Sequence, residues 1–208
     1  MASEPSDPPE TDPERPPYGP APHPPGRLRP PLVRLALAFY GALLLAALVW
    51  AALDGRALPW ASADAARDGG APLRDLAAGL LAAAIVVLAS RQLTQRTRMG
   101  EQLARMLGAA LGPLSLGECW LLAVVSGIAE EAFFRGALQP QVGLVAASLL
   151  FGAAHFVPRR EILPWTLFAV AAGFLLGWLF DATGSLVAPI VAHACINGVN
   201  LRHLTRRA

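Results

Sequence analysis

Between Leu32 and Leu201 the sequence runs through six predominantly apolar stretches of roughly 16–23 residues, and this succession limits the possible folds more than any other feature. They lie at Leu32–Leu53, Leu73–Ser90, Leu116–Leu138, Val142–Val157, Trp165–Phe180 and Leu186–Leu201. Crossing about 30 Å of hydrocarbon takes ~20 helical residues, and in lipid a single segment satisfies its own backbone hydrogen bonds only as a helix. The runs predict an all-α, polytopic transmembrane bundle of about six spans. Composition agrees: 54% of residues are hydrophobic and 15% charged, against about 25% charged in soluble domains.

Outside these runs, residues 1–31 hold twelve of the nineteen prolines and are expected to form a disordered, extended tail. The first apolar run is too long, and lies too far into the chain, for a cleavable signal peptide, whose apolar stretch is about 7–15 residues. It is expected to be a retained span, and residues 32–205 a single transmembrane bundle. Between the second and third spans, Thr94–Leu111 carries Leu103, Met106, Leu107 and Ala110 opposite Arg98, Glu101 and Arg105, the pattern of an interfacial amphipathic helix. Lysine is absent, and the arginines flank apolar runs instead of forming a patch interleaved with aromatics. Nucleic acid is therefore not expected as a partner. Cys119 and Cys195 fall within apolar segments without CxxC spacing and read as small buried hydrophobes.

Ionisable residues at membrane depth cost about 2.5–3.5 kcal/mol each on insertion scales, yet three of the spans carry them. The third contains Glu130, Glu131 and Arg135, the fourth ends at His155, and the sixth holds His193, Asn197 and Asn200. Glu131 and Arg135 are four apart, so they share a face and can pair. Glu130 is rotated from Glu131 by about 100° and is free to meet a partner on another helix. His193, Asn197 and Asn200 form one polar stripe, which must face the bundle interior. The bland readings are that Arg135 snorkels to the headgroups, that His155 is a structural hydrogen-bonding residue, and that Ser126 and Asn200 are structural. For the whole set, each member with its own insertion cost, a site is the better reading. A carboxylate and two imidazoles can activate water for attack on a carbonyl, and imidazole and amide N–H groups can hold the developing oxyanion.

These residues resemble the CAAX-protease and bacteriocin-processing (Abi) family of intramembrane proteases, which includes the Ras-converting CAAX endopeptidase. Its motifs E-E-x-x-x-R, F-x-x-x-H and H-x-x-x-N occur in order as Glu130-Glu131-…-Arg135, Phe151-…-His155 and His193-…-Asn197, within a core at about 115–200. The resemblance implies an endopeptidase acting near the C-terminus or membrane anchor of a substrate protein. Glu130 would be the general base with His155 assisting, His193 and Asn197 would stabilise the tetrahedral intermediate, and Glu131 and Arg135 would support them. No cofactor is required on this reading, although Glu130, His155 and His193 could instead hold Zn²⁺ as a two-His, one-carboxylate site. The expected partners are the lipid bilayer and a membrane-anchored or C-terminally tailed protein. A proton-coupled transporter and a non-catalytic immunity or scaffold protein are the alternatives; the first lacks visible repeats and the second does not need the motif trio. Counting helical rise from the assigned span ends places Glu130 and His193 at about 10–12 Å depth but His155 near ~21 Å. A shared site thus requires the Gln139–Gly143 connection to dip inward or the fourth helix to tilt.

An even number of spans puts both termini on one side of the cell membrane. Most arginines outside the spans fall on that side, with only Arg56, Arg67 and Arg74 opposite, so the positive-inside rule makes it cytoplasmic. Reporters fused after Arg98, Arg160 and Ala208 are expected to report the cytoplasm, and those near Gly69 and Thr183 the opposite side. A cytoplasmic signal at Gly69 would overturn the six-span arrangement.

Overall fold

The computed structural model describes residues 30–58, 60 and 71–206; the proline-rich segment expected to be a tail lies almost entirely outside the described residues. The chain is helical along nearly all of its described length: α1 Pro30–Leu53, α2 Ala71–Arg96, α3 Arg98–Leu111, α4 Leu116–Glu131, a π-helical segment Ala132–Leu138, α5 Gln139–Ala154, a 3₁₀ turn Arg160–Ile162, α6 Leu163–Thr183 and α7 Val187–Thr205. The expected all-α bundle is what forms.

Among the described residues four helical stretches are long and apolar enough to cross a membrane: Val33–Leu53, Pro72–Arg96, Leu116–Ala154 and Arg160–Thr183. The count differs from the six runs in the sequence for two physical reasons. The third and fourth runs are joined, because helix continues from α4 through the π segment into α5. The sixth run is a helix, α7, but His193, Asn197, Asn200, Arg202 and His203 lower its hydropathy.

The joined stretch of 39 residues would reach about 58 Å if straight, at 1.5 Å per residue, nearly twice the hydrocarbon thickness. It instead folds back on itself at Gly143, whose φ of 80° and ψ of 167° are non-helical. The contacts locate the reversal. Phe134 and Phe151 stack edge to face at 5.0 Å, and Glu130 lies 3.7 Å from His155, each pair being symmetric about positions 142–143. This resolves the depth mismatch. The ascending helix does not end at Leu138 but continues to the kink, so Glu130 and His155 both lie about 18–20 Å from it.

Packing is inverted relative to a soluble protein. Leu35, Phe39, Leu45, Leu81, Ile85 and Trp178 are exposed, while the interior is rich in alanine and encloses Glu130, Glu131, Arg135 and His193. Lipid solvates large apolar side chains as well as a protein core does, so the helix interfaces use small residues that let backbones approach. At the α4–α7 contact a Cβ on Gly127 would lie 3.3 Å from the Ala194 backbone nitrogen; this close approach brings Glu131 up to His193.

The interfacial helix is shorter than expected. α3 starts after an N-cap at Thr97, whose side chain accepts a hydrogen bond from Gly100 N, and it buries Gly100, Ala104 and Gly108. On its apolar side Leu103, Met106 and Leu107 are half-buried and Ala110 is exposed. Small residues dock this helix, as they do the spans. Cys119 is fully buried, as expected, whereas Cys195 is half-buried.

At Gly143 an added Cβ would meet nothing within 4 Å, so a substitution there acts through backbone strain alone. Gly143→Ala is expected to destabilise the bundle by about 1–3 kcal/mol, read as a lower melting temperature of the purified protein in detergent. An unchanged melting temperature would show that the reversal does not depend on this conformation.

Candidate active site

Two buried layers of polar groups sit where the α4–α5 hairpin meets α7. The rear layer centres on Glu131. Its Oε1 accepts from Arg135 Nη1 at 3.1 Å and from His193 Nδ1 at 2.6 Å, while Arg135 Nε lies 3.1 Å from its Oε2. Arg135 Nη2 donates to the Gly173 carbonyl of α6 at 3.0 Å, and the guanidinium lies over the Phe151 ring, 4.5 Å from its centroid. Arg135 is 1% exposed and Glu131 fully enclosed. The arginine therefore does not snorkel. Its place at the fourth position of the π segment keeps it level with Glu131 while turning it toward α6.

The front layer faces a cavity of about 360 Å³, lined by Glu130, His155, His193, Asn197, Ser126 and Tyr40 among apolar residues. All four residues expected to be catalytic thus share one cavity, whereas the supporting pair, Glu131 and Arg135, is absent from its lining. The 100° rotation between adjacent glutamates separates them as expected. Glu130 Oε2 is buried and makes no hydrogen bond within the protein; His155 Nε2, at 3.7 Å, is too far for one.

The hydrogen bonds constrain the tautomers. His155 Nδ1 is 2.8 Å from the Phe151 carbonyl, which only accepts, so Nδ1 carries the proton and Nε2 of the neutral ring presents a lone pair toward Glu130. An ionised Glu131 likewise takes the Nδ1 proton of His193, leaving Nε2 turned to the cavity. Asn197 Nδ2 donates to Ser126 Oγ at 3.2 Å, and Ser126 Oγ donates in turn to the Ala123 carbonyl. Ser126 is therefore a cavity residue that orients Asn197. Asn200 accepts from Ser90 Oγ at 3.2 Å, the structural role expected of it.

Tyr40 of α1 was not singled out from the sequence. It stands against Glu130 and Ser126 and lines the same cavity. The available signal was its depth: a hydroxyl well inside an apolar run, away from the interfacial belt where tyrosine collects. Among the described residues no three His, Cys, Asp or Glu side chains are grouped closely enough to hold an ion.

Residues 112–199 match the family model described as Rce1-like, type II CAAX prenyl endopeptidase. The match covers less than half of the chain and marks this segment as similar to that family. The matched segment holds all seven motif residues and both limbs of the hairpin, and the family is named for an endopeptidase. The chain is also 44% identical over 80 residues to the uncharacterized protein YpbD of Bacillus subtilis (strain 168), a match covering 38% of this chain and 41% of the relative. It therefore spans less than half the length of that curated relative. No solved structure matches.

Glu131→Gln leaves the buried Arg135 without an ionised partner, and breaking such a pair by altering one member costs about 3–5 kcal/mol. The expected outcome is a markedly lower melting temperature and a loss of membrane-inserted protein. A melting temperature equal to wild type would mean that the rear layer is not what holds α4, α6 and α7 together.

Proposed function

We propose that the protein is an intramembrane endopeptidase that hydrolyses a peptide bond near the C-terminus or membrane anchor of a substrate protein, with Glu130 as general base. The observation that carries this reading is the Glu130 carboxylate oxygen, buried without a protein hydrogen bond and 3.7 Å from a histidine lone pair, at the wall of a cavity among membrane-spanning helices. Two acceptors at that separation leave room for one water to donate to both. The water then turns its own lone pair outward, toward a carbonyl in the cavity.

In the proposed reaction the water oxygen bonds to the carbonyl carbon as Glu130 takes its proton. The carbonyl π pair moves to oxygen, and the oxyanion accepts from His193 Nε2–H and from the second Asn197 Nδ2–H. Donation from Nε2 requires both nitrogens of His193 to be protonated, with Glu131 as counter-charge behind the ring. The buried set is then balanced: Glu130 and Glu131 against Arg135 and His193. As the C–N bond breaks, Glu130 returns the proton to the leaving amine, giving a carboxylic acid and an amine. Tyr40, beside Glu130, steadies the carboxylate from the α1 side. The apolar lining by Leu111, Leu114, Phe168 and Leu204 suits a hydrophobic C-terminal tail, prenylated or plain, which supports CAAX-type or sorting-signal processing.

Glu130→Gln keeps shape but removes the base, so cleavage should fall by at least about 10²-fold while the protein still accumulates in the membrane. The assay uses proteoliposomes and a panel of quenched fluorescent peptides with apolar or prenylated C-terminal tails. Wild-type cleavage by Glu130→Gln would remove this residue from the mechanism. Adding a chelator to the wild type in the same assay addresses the metal: activity is expected to persist, and full loss with rescue by Zn²⁺ would replace the glutamate mechanism.

A further inference from the structure

A second recess, separate from the Rce1-like cavity, opens on the other side of α7. It measures about 190 Å³ and is lined by Arg91, Arg202, Arg206 and His203 together with Trp120, Leu116, Gly198 and Val199. No acidic residue lines it. Among the described residues the ion pairs of Arg56, Arg74, Arg105 and Arg135 are made with carboxylates outside this recess. Three arginines lining one recess without an acidic neighbour in its wall suit a tetrahedral oxyanion, which arginine binds in bidentate fashion.

The surroundings favour a lipid as the source of that anion. Arg91 and His203 also wall a neighbouring slot of about 110 Å³, lined by Leu93, Met99, Leu103, Leu107 and Phe168 among others. A basic recess and an apolar slot sharing one wall match an amphiphile, whose two halves need these two environments. Trp120 and Leu116 are exposed beside the recess, at the level where α2 and α7 end and α4 begins. Aromatic residues concentrate at that level of a membrane protein, and the arginine asymmetry assigns this end to the cytoplasmic face, where basic pockets between helices meet anionic headgroups.

We propose that this paired recess and slot bind an anionic phospholipid, its phosphate among Arg91, Arg202 and Arg206 and part of an acyl chain under α3. The site is independent of the proteolytic reading. The test is a thermal-shift titration of the full chain in zwitterionic detergent–phosphatidylcholine micelles, with phosphatidylglycerol or inorganic phosphate added in separate arms. Phosphatidylglycerol should raise the melting temperature saturably, and inorganic phosphate at equal concentration should not. At about fivefold per guanidinium near the membrane surface, R91Q/R202Q/R206Q should weaken the apparent affinity roughly a hundredfold, with the melting temperature in phosphatidylcholine alone unchanged. Should the triple variant fail to fold, Leu103→Trp, which fills the slot without touching the arginines, should still weaken phosphatidylglycerol by about tenfold through lost chain burial. An undiminished lipid shift in a folded variant overturns the proposal, as does the absence of any shift. An equal, arginine-dependent response to inorganic phosphate would reassign the recess to a soluble anion.

Discussion

Glu131 is the point on which the polar interior depends, because its carboxylate is shared between Arg135 on its own helix and His193 on α7. An unpaired charge in a water-poor interior is costly enough that each member of this set fixes the others. The guanidinium extends the linkage to the α6 backbone at Gly173, so three helices are tied through one acid. Close approach at Gly127 and Ala194 and the π segment that sets the level of Arg135 are the local features that let the tie form. It also determines what His193 presents to the cavity, since the nitrogen bonded to Glu131 is no longer available there.

Helical rotation alone turns the adjacent glutamates to different surroundings. Glu131 Oε1 is shared between Arg135 and His193, and Glu130 keeps an Oε2 without a protein hydrogen bond at the cavity wall. The hairpin reversal at Gly143 brings His155 to the same depth as Glu130, with its proton committed to the Phe151 carbonyl. On the proposed reading, the rear layer holds Glu130, His155, His193 and Asn197 around one cavity, the preorganisation that water activation and oxyanion binding require.

The helical character, the polar stripe on α7 and the division between the glutamates were legible in the sequence, because each follows from a fixed helical period applied to residues that are expensive in lipid. The hairpin was less so. A glycine in an apolar run carries no periodic signal, and two runs on either side of Gly143 look like two spans whether the helix ends at Leu138 or continues. The docking face of α3 was not legible for a related reason: the large apolar residues that mark an interfacial helix do not say where it packs on the bundle, and the buried stripe is Gly100, Ala104 and Gly108. Tyr40 was passed over, and Ser126 read as structural, because a single hydroxyl is cheap at membrane depth and acquires meaning only from a neighbour on another helix.

Tyr40 also bears on where selectivity resides. The Rce1-like match covers residues 112–199, which supply Glu130, His155, His193 and Asn197, but Val33, Ala36 and Tyr40 of α1 and Leu111 of α3 complete the wall of the same cavity. The matched segment alone would leave that wall open to lipid. On the proposed reading, the residues of the reaction lie in the matched segment, and helices outside it complete the wall of the cavity. Because α1 packs on the π segment through Ala47, Ala51 and Ala132, a shift of α1 would alter the cavity mouth and the environment of Glu130 together. On the proposed reading, substrate fit and the poise of Glu130 as the base are coupled through this one helix contact.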